Sequence, residues 1–577
     1  MEMLSRSLMN VEVSILNANE PNLYCTVAVL FLIPLYCICS KISFKEKVGK
    51  VGFLALLLIS FNMNIPNFIW HGFHFPNSLP CRESFIYIFL ILTMAYEAGR
   101  HIKSYTKKEL YSCFFGAVAL IILIEELYVS DEYPFDIIYM SLFFLTCYFL
   151  ILNLFRNPKV YKQFALYLLM VTCIAEAAIN SNHEASYKTT GYSYYLEDNN
   201  AITTILNSVD DGSFYRVEKE KRNTKNDAAW NDYHGVSIFS STANGHFTEL
   251  LGKFGFEQST NAYSYYGSTP LTSSMLSVKY TIAKNELSDP YMKELVAKSQ
   301  GRYLYKQDYV LPLGYMIPSD SLSNFELNGN DPFVIQNNFV TATTGYEGLF
   351  TRLSATSSGK SSTIVTEGEC DLYIYVTNYV ESISYTVTNS ELQYSKSGSA
   401  TGLKHRQIVH IGNVPANSTV TVTTTEEGVT SLQMYAYAFD QELFDTVFNA
   451  LNDEGLNIES YNDTHIKGTV TAKDSGMMLT SIIYDKGWNV YVDGKEVELK
   501  SWNEALLAFD VPSGTHTIEL KYTPDGFYIG LALSLVSALL IAVIYFIEKK
   551  ASKPKVIKTV ETPQQPKVQT EQETHTE

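Results

Sequence analysis

The stretch FDIIYMSLFFLTCYFLILNLF at residues 135–155 is apolar along nearly its whole length. An α-helix rises about 1.5 Å per residue, so a run of about 20 apolar residues can cross the hydrocarbon core of a bilayer. Similar runs, several of them slightly short, lie at residues 23–39, 48–63, 84–99, 110–129, 161–179 and 526–547. A short run can also be a buried helix of a soluble protein, but such runs in close succession favour a membrane α-helical bundle of about seven transmembrane helices.

The loops between these runs differ in charge, and this difference predicts their orientation. Loops 40–50, 100–109 and 156–162 are rich in Lys and Arg, whereas 64–83 has only Arg82 and 130–134 has neither residue type. Basic loops stay on the cytoplasmic side of a membrane. We therefore expect a multi-pass cell-membrane protein whose C-terminus is cytoplasmic and whose residues 180–524 are extracytoplasmic. Residues 1–22 would also start outside, which is typical of a protein whose earlier spans are missing.

The segment after residue 180 is polar and rich in Tyr, Ser, Thr and Asn. Residues 180–326 predict a mixed α/β region, with short helices at 244–254 and 291–299. Runs such as TATTGYEGLF and SISYTVTN are β-branched and aromatic, which favours a β-sandwich over 327–440. Residues 441–455 predict an amphipathic helix. Asp493-Gly494 lies between two alternating runs and predicts a β-hairpin.

These patterns predict a domain for each part of the chain. The predicted divisions are an extracytoplasmic N-terminal segment at 1–22, a six-helix transmembrane region at 23–179, an extracytoplasmic mixed α/β domain at 180–326, a β-sandwich at 327–440, a second β-rich domain at 441–525, a C-terminal transmembrane helix at 526–547 and a disordered cytoplasmic tail at 548–577.

Charge and cysteine content narrow the classes of function. The net charge of -17 argues against nucleic acid as a partner. Seven of the eight cysteines lie in or beside the apolar runs, and only Cys370 lies in the large domain. The sequence has no metal-ligand spacing, no P-loop and no GxSxG motif, so it predicts no metal site and no evident cofactor.

Three motifs together resemble the YfhO family of bacterial membrane proteins. They are NIPNFIWHGFHFPNSLPCRESFIYIFLILTMAYEA at 64–98, SIFSSTANGHFTELLGKFGF at 237–256 followed by MLSVKYTIAKN at 275–285, and YDKGWNVYVDGKEVELKSWNEALLAFDVPSGTHTIELKYTP at 484–524. Their order and spacing agree with the family over essentially the whole chain.

The resemblance implies a relation to glycosyltransferases of the GT-C type. Such enzymes take a sugar from a polyprenyl-phosphate carrier and pass it to an acceptor outside the cell, and family members are associated with decorating teichoic acids, including lipoteichoic acid, in the Gram-positive cell envelope. The expected partners are therefore the lipid bilayer, a polyprenyl-phosphate-linked sugar and a surface glycopolymer acceptor.

The resemblance also leaves the enzymatic role open. The family is usually longer at its N-terminus, where an acidic residue acts as a base or as a ligand of a divalent metal, and no residue here matches it. The alternatives are a non-catalytic, membrane-anchored carbohydrate-binding or scaffold protein, a truncated family member, and part of a lipid-linked sugar transporter.

The outer loop 64–83 carries the first group of candidate substrate-binding residues, which are Trp70, His71, His74, Arg82 and Glu83. Trp70 would stack on a sugar, Arg82 would meet a lipid-linked phosphate, and either histidine would assist proton transfer. The alternative is structural: Trp70 would anchor the loop at the interface, and Arg82 with Glu83 would cap the next helix.

Two acidic residues lie within apolar runs, where ionisable groups are expensive and often functional. Glu176 is predicted to line a cavity near the outer face. Glu97 lies three residues before Arg100, so the spacing predicts an ion pair within one helix.

The polar domain supplies the remaining candidates, Trp230, Asp232 and His234, in the motif WNDYHG. Aromatic faces beside carboxylates suit carbohydrate. The alternative is chance clustering, because 41 tyrosines are spread through this chain and aromatic residues are common in sheets.

Overall fold

The computed structural model describes residues 2–13, 21–74, 81–127, 135–188, 192–287, 290–325 and 327–551. The chain divides into two compact units, Met1–Tyr192 and Ser193–Glu577. The first unit is helical and the second is rich in β-structure, as the sequence predicts. The predicted disordered tail lies almost entirely outside the described residues.

The helical unit is built from apolar helices joined by short connections. Its helices are α1 (Glu2–Ser5), α2 (Val29–Ile38), α3 (Phe44–Asn62), α4 (Asn64–Trp70), α5 (Ser84–Arg100), α6 (Lys107–Leu127), α7 (Phe135–Arg156) and α8 (Lys162–Lys188). Helix α3 starts where the Ser43 side chain accepts a hydrogen bond from the Glu46 N–H, as an N-cap residue does. Helix α2 contains Pro34 and has only 10 residues.

The number of membrane spans is lower than the sequence predicts. Among the described residues, four helices are long and apolar enough to cross a membrane, namely α6, α7, α8 and the last helix of the chain, and a bent pair raises this number to at most five. That pair is α3 and α4, which meet at an angle of 105°. Helix α2 is too short, and α5 has 17 residues. The prediction of about seven transmembrane helices is therefore not confirmed.

One apolar cluster holds the helices of the first unit together. It includes Phe31 and Leu35 of α2, Leu57 of α3 and Met94 of α5, all of which are buried. The rings of Phe114 and Phe149 stack with their centroids 4.0 Å apart and join α6 to α7.

The second unit contains further helices that pack on or between its sheets, and one at its end that does not. They are α9 (Tyr192–Asn207), α10 (Asp227–Asn231), α11 (Gly245–Lys253), α12 (Pro270–Met275), α13 (Ser321–Asn324), α14 (Pro332–Thr344), α15 (Gln441–Asn452) and α16 (Phe527–Ala551). The apolar side chains of α16 are exposed along its length, as a membrane span requires.

The strands of the second unit are short, and many pair with strands that are distant in sequence. In chain order they are β1 (Arg216–Lys219), β2 (Ile238–Phe239), β3 (Gln258–Ser259), β4 (Ala262–Tyr263), β5 (Val278–Ala283), β6 (Lys293–Ser299), β7 (Arg302–Gln307), β8 (Gly314–Ile317), β9 (Phe350–Leu353), β10 (Ala355–Ser358), β11 (Ser361–Val365), β12 (Cys370–Val376), β13 (Ser382–Asn389), β14 (Tyr394–Thr401), β15 (Ile408–Val414), β16 (Thr419–Thr423), β17 (Met434–Phe439), β18 (Asn457–Asn462), β19 (His465–Ala472), β20 (Gly476–Ile483), β21 (Trp488–Val492), β22 (Lys495–Val497), β23 (Lys500–Trp502), β24 (Leu506–Val511) and β25 (Gly514–Tyr522).

These strands form a mixed sheet and two sandwiches. The mixed sheet has the order β1-β5-β7-β6, with β1 parallel to β5, and a small sheet β2-β4-β3 accompanies it. The first sandwich pairs β10-β11-β16-β13-β14 with β15-β12-β17-β9, and one apolar cluster contains residues of both sheets. The second pairs β18-β19-β25-β21-β22 with β23-β24-β20-β8 around another cluster.

Several local predictions can be compared with these elements. The predicted helices at 244–254 and 441–455 correspond to α11 and α15. The Asp493-Gly494 hairpin joins β21 to β22, with both residues at positive φ. The predicted helix at 291–299 is wrong, because this segment forms β6. The TATT part of the predicted strand TATTGYEGLF is also wrong, since it lies at the end of α14.

Candidate functional site

Glu176 is a buried carboxylate of the helical unit that accepts four hydrogen bonds. It lies on α8 and is 2% exposed. Its oxygens accept hydrogen bonds from the hydroxyls of Tyr24 at 2.8 Å, Thr26 at 2.7 Å and Tyr148 at 2.5 Å, and from the Val27 N–H at 2.8 Å. A buried carboxylate is tolerated only when such donors replace water. Glu176 therefore ties α8 to α7 and to the segment before α2.

Glu176 lines a cavity of 810 Å³ inside the helical unit, which agrees with its predicted position beside a cavity. The walls are mainly apolar and come from α2, α5, α7 and α8, with Leu32, Leu92, Leu152 and Leu169 among them. A volume of this size is at the upper end of the range for drug-sized ligands, about 300–1,000 Å³. The cavity can therefore take a large apolar molecule.

Three cations also line this cavity, Arg100, Lys103 and Lys162. Within the described ranges, no carboxylate lies within ion-pair distance of any of the three. The Arg100 guanidinium lies over the Tyr96 ring, 5.9 Å from its centroid. These side chains can therefore meet an anionic group that enters the cavity.

The predicted pair of Glu97 and Arg100 is wrong. Glu97 instead accepts a hydrogen bond from Lys50 of α3 at 2.7 Å, and Lys50 also binds Glu46 at 2.8 Å. The lysine stem is long enough to reach a neighbouring helix, so tertiary contact replaces the pair within one helix. This change leaves Arg100 beside the cavity.

His71 and Glu83, both predicted site residues, come together beside α4 and α5. The His71 Nε2 atom lies 4.0 Å from the Glu83 Oε2 atom, and the two side chains are 8% and 4% exposed. The His71 Nδ1 atom lies 2.7 Å from the Asn67 carbonyl oxygen, so Nδ1 carries the proton and donates. Neither oxygen of Glu83 accepts a hydrogen bond among the described residues.

The other predicted residues of this loop are Trp70, His74 and Arg82, and they are more exposed than His71 and Glu83. Trp70 ends α4 and is 39% exposed, while His74 and Arg82 are exposed on either side of residues 75–80, which lie outside the described residues. Arg82 lies directly before Glu83. Of these five side chains, the described contacts bring His71 and Glu83 together.

The candidates in the second unit are neighbours in sequence but face different surroundings. The Trp230 ring packs edge-on against Tyr195 with centroids 5.7 Å apart, and Asp232 is exposed at positive φ. His234 lies against Phe214, where burial and then the Arg216 charge lower its pKa. None of the three lines the cavity beside Glu176.

Behind these residues lies a buried ionic network that sequence reasoning missed. Lys219 binds Asp198 at 2.6 Å and Asp227 at 3.1 Å, and Arg302 also binds Asp198. Burial alone raises the pKa of Asp198, but the bonds from Lys219 and Arg302 more than offset it and hold that pKa below its usual range. The alternating sequence RVEK of β1 indicates a strand. It does not show which acidic side chains bind Lys219.

Sequence reasoning also missed the donors to Glu176. A carboxylate in an apolar helix requires partners, but hydroxyl residues occur throughout the apolar runs, so sequence alone does not single out Tyr24 and Tyr148. As for metals, the described ranges hold no group of three or more His, Cys, Asp or Glu side chains that could bind an ion.

The apolar helices and the large β-rich unit define a membrane protein with a substantial polar domain. The chain belongs to the YfhO family: the family model described as bacterial membrane protein YfhO matches residues 1–534. The uncharacterized protein YfhO of Bacillus subtilis (strain 168) is 40% identical over 79 residues, which make up 14% of this chain and 9% of that protein. The match thus spans a small part of the relative's length.

Two solved structures share limited similarity with the chain. A mutant of arabinofuranosyltransferase AftD from Mycobacteria is 12% identical, with a TM-score of 0.13, over 30% of this chain and 14% of that one. Oxalate decarboxylase from Bacillus subtilis is 7% identical, with a TM-score of 0.09, over 30% of this chain and 71% of that one. Scores this low carry no argument about fold or function.

Proposed function

We propose that this protein takes part in glycosylation of a cell-surface polymer such as teichoic acid, using a sugar carried on polyprenyl phosphate. The observation that carries the proposal is the pair of His71 and Glu83. Glu83 is buried, accepts no hydrogen bond among the described residues, and lies 4.0 Å from the imidazole of His71. A carboxylate whose oxygens accept no other hydrogen bond has lone pairs available to take a proton. Membership of the YfhO family, with its resemblance to GT-C-type enzymes, agrees with this chemistry.

The proposed reaction requires one proton acceptor. The acceptor hydroxyl attacks the anomeric carbon of the sugar, a new C–O bond forms, and the bond from that carbon to the phosphate oxygen breaks. Glu83 takes the hydroxyl proton, and polyprenyl phosphate leaves as an anion. His71 positions Glu83, Arg82 meets the phosphate charge, and Trp70 offers a ring face to the sugar.

The cavity of the helical unit would hold the carrier. Its apolar walls suit a polyprenyl chain, while the phosphate of the carrier would meet Arg82. The saturated carboxylate of Glu176 shapes this cavity and has no free lone pair directed at a reacting proton. We therefore assign proton transfer to Glu83 and a structural role to Glu176.

Three cations of the cavity, Arg100, Lys103 and Lys162, suit a phosphate and favour a second candidate function. They belong to connections that we expect on the cytoplasmic side, whereas Glu176 lies toward the other end of α8. A phosphate bound at these cations would enter from the cytoplasm, which suits translocation of a lipid-linked sugar.

Gene deletion followed by analysis of the sugar content of surface polymers tests both functions. Glycosylation predicts that deletion lowers the sugar content and that the wild-type gene restores it. Glu83→Gln should fail to restore it, because loss of a general base costs about a hundredfold or more in rate. Glu126→Gln, which changes an exposed acid at the end of α6, is the matched control and should restore it.

The outcomes separate the alternatives. An unchanged sugar content after deletion would contradict both functions. Restoration by Glu83→Gln, combined with failure of a variant lacking the Arg100, Lys103 and Lys162 charges, would favour translocation. Restoration by both variants would leave a non-catalytic carbohydrate-binding or scaffold role.

A further inference from the structure

A second, smaller cavity lies in the polar unit, where the mixed sheet meets the first sandwich. Its volume is 180 Å³. This is below the range of about 300–1,000 Å³ for drug-sized ligands and several times the ~30 Å³ that one water occupies in the liquid. It is therefore of a size for one small ring rather than for a peptide or a lipid.

Aromatic side chains form much of its wall. The Tyr373 ring stacks on the His410 ring with centroids 4.4 Å apart, and the Tyr291 ring lies 5.0 Å from the same imidazole. Tyr265 and Tyr309 also line the cavity. Ring faces of this kind pack well against the C–H groups of a sugar.

Most of the polar groups in the wall are held by the protein itself. Tyr265 Oη lies 2.5 Å from Ser273 Oγ, Tyr309 donates to Asp445 at 2.5 Å, and Gln307 Nε2 donates to Thr281 at 2.8 Å. Burial raises the pKa of Tyr265 and of Tyr309 to about 12, so both hydroxyls stay neutral at physiological pH. The wall is thus preorganised before any ligand binds.

Two charged groups in the wall have opposite sign. Lys293 Nζ lies 3.4 Å from Glu220 Oε2, and their side chains are 20% and 47% exposed. His410 Nε2 lies 2.7 Å from Asp371 Oδ1, which leaves Nδ1 free of a described partner. The balance of charge favours a neutral ligand with several hydroxyls over an anion or a cation.

From this geometry we infer that the cavity binds a single neutral sugar ring, and, resting on the proposed function, that this ring belongs to the acceptor polymer. The ring would lie against Tyr291 and exchange hydrogen bonds with Glu220, Lys293 and His410. Nothing in the WNDYHG motif takes part, because Trp230, Asp232 and His234 do not line this cavity.

Saturation-transfer NMR tests this inference with the full chain in lipid nanodiscs, since glycoside detergents would compete. The probes are glucose, galactose and N-acetylglucosamine. We expect saturation transfer to at least one sugar. Tyr291→Leu and Glu220→Gln should each weaken its binding about threefold or more, the effect of losing about one hydrogen bond or ring contact. Tyr379→Leu alters a tyrosine of the same unit that is 69% exposed, and it should leave binding unchanged.

Two results would overturn the inference: no transfer to any of the three sugars, or binding that both cavity variants leave intact while they retain the wild-type unfolding temperature. Sugar binding is measured here without sugar transfer. Binding that persists although gene deletion leaves the surface polymers unchanged would therefore contradict the proposed function and keep the cavity assignment.

Discussion

Two buried glutamates of the helical unit differ in their hydrogen bonding. Glu176 accepts four hydrogen bonds, so its lone pairs are occupied. Glu83 is similarly buried, but its oxygens accept no hydrogen bond from the described residues, and His71 lies 4.0 Å away. The first residue holds helices together, and the second is the one that we propose as the proton acceptor.

Replacing Glu176 with Gln should destabilise the helical unit. The amide would bring its own N–H groups toward four donors, and at least one buried donor would lose its partner. Because such losses cost about 1–3 kcal/mol each, we expect a free energy of unfolding lower by about 2 kcal/mol or more. Thermal unfolding in detergent measures this, with Glu126→Gln as the control. Equal unfolding temperatures for the two variants would show that the network adds little.

How well the sequence predicts this site depends on how far apart along the chain the interacting residues lie. An acid in an apolar run marks Glu176 as unusual, and the loop composition marks His71 and Glu83. The donors Tyr24 and Tyr148 are remote in sequence from Glu176, and so is Lys50 from Glu97. Such pairings are fixed by helix packing, which composition does not encode.

At the scale of single elements, turn chemistry decided which predictions succeeded. Asp493-Gly494 is a strong hairpin signal, and β21 and β22 form around it. Gln300-Gly301 forms the turn of a second hairpin, between β6 and β7, and both of its residues have positive φ. The helix-favouring residues of KELVAK concealed this second hairpin, since pairing with β7 overrides local propensity.

The hairpin of β21 and β22 also carries a pH-sensitive contact. His516 Nδ1 bonds Asp493 Oδ2 at 2.7 Å, and this bond raises the pKa of His516 above its ordinary value of about 6.5. A raised folded-state pKa means that the contribution to stability is complete below about pH 6.5 and is lost as pH rises through the folded-state pKa.

Histidine-detected NMR titration of the full chain can follow this contact. We expect the pKa of His516 to fall toward its ordinary value in Asp493→Asn, a change that keeps the turn because Asn tolerates positive φ. An identical titration in the two proteins would show that the bond to Asp493 does not set the pKa of His516.

At the scale of the whole molecule, the sequence predicted the division into a helical part and a polar β-rich part, but it overestimated the spans. Hydropathy runs measure apolar composition, whereas a span also needs one continuous helix of sufficient length. Pro34 lies within the short α2, and α3 and α4 meet at 105°, so two predicted spans are incomplete or bent. Family membership establishes a membrane protein, and the orientation of its domains remains our proposal from the basic loops.

The most direct test of that proposal is thiol labelling on intact cells with a membrane-impermeant reagent. Burial raises the pKa of the Cys370 thiol, which slows its reaction, so a better reporter is Leu392→Cys, at a side chain that is 64% exposed in the polar unit. We predict that this cysteine reacts on intact cells, while one introduced within 552–577 reacts only after permeabilisation. Labelling of the tail cysteine on intact cells, with Leu392→Cys protected, would contradict an extracytoplasmic polar unit and with it the proposed function.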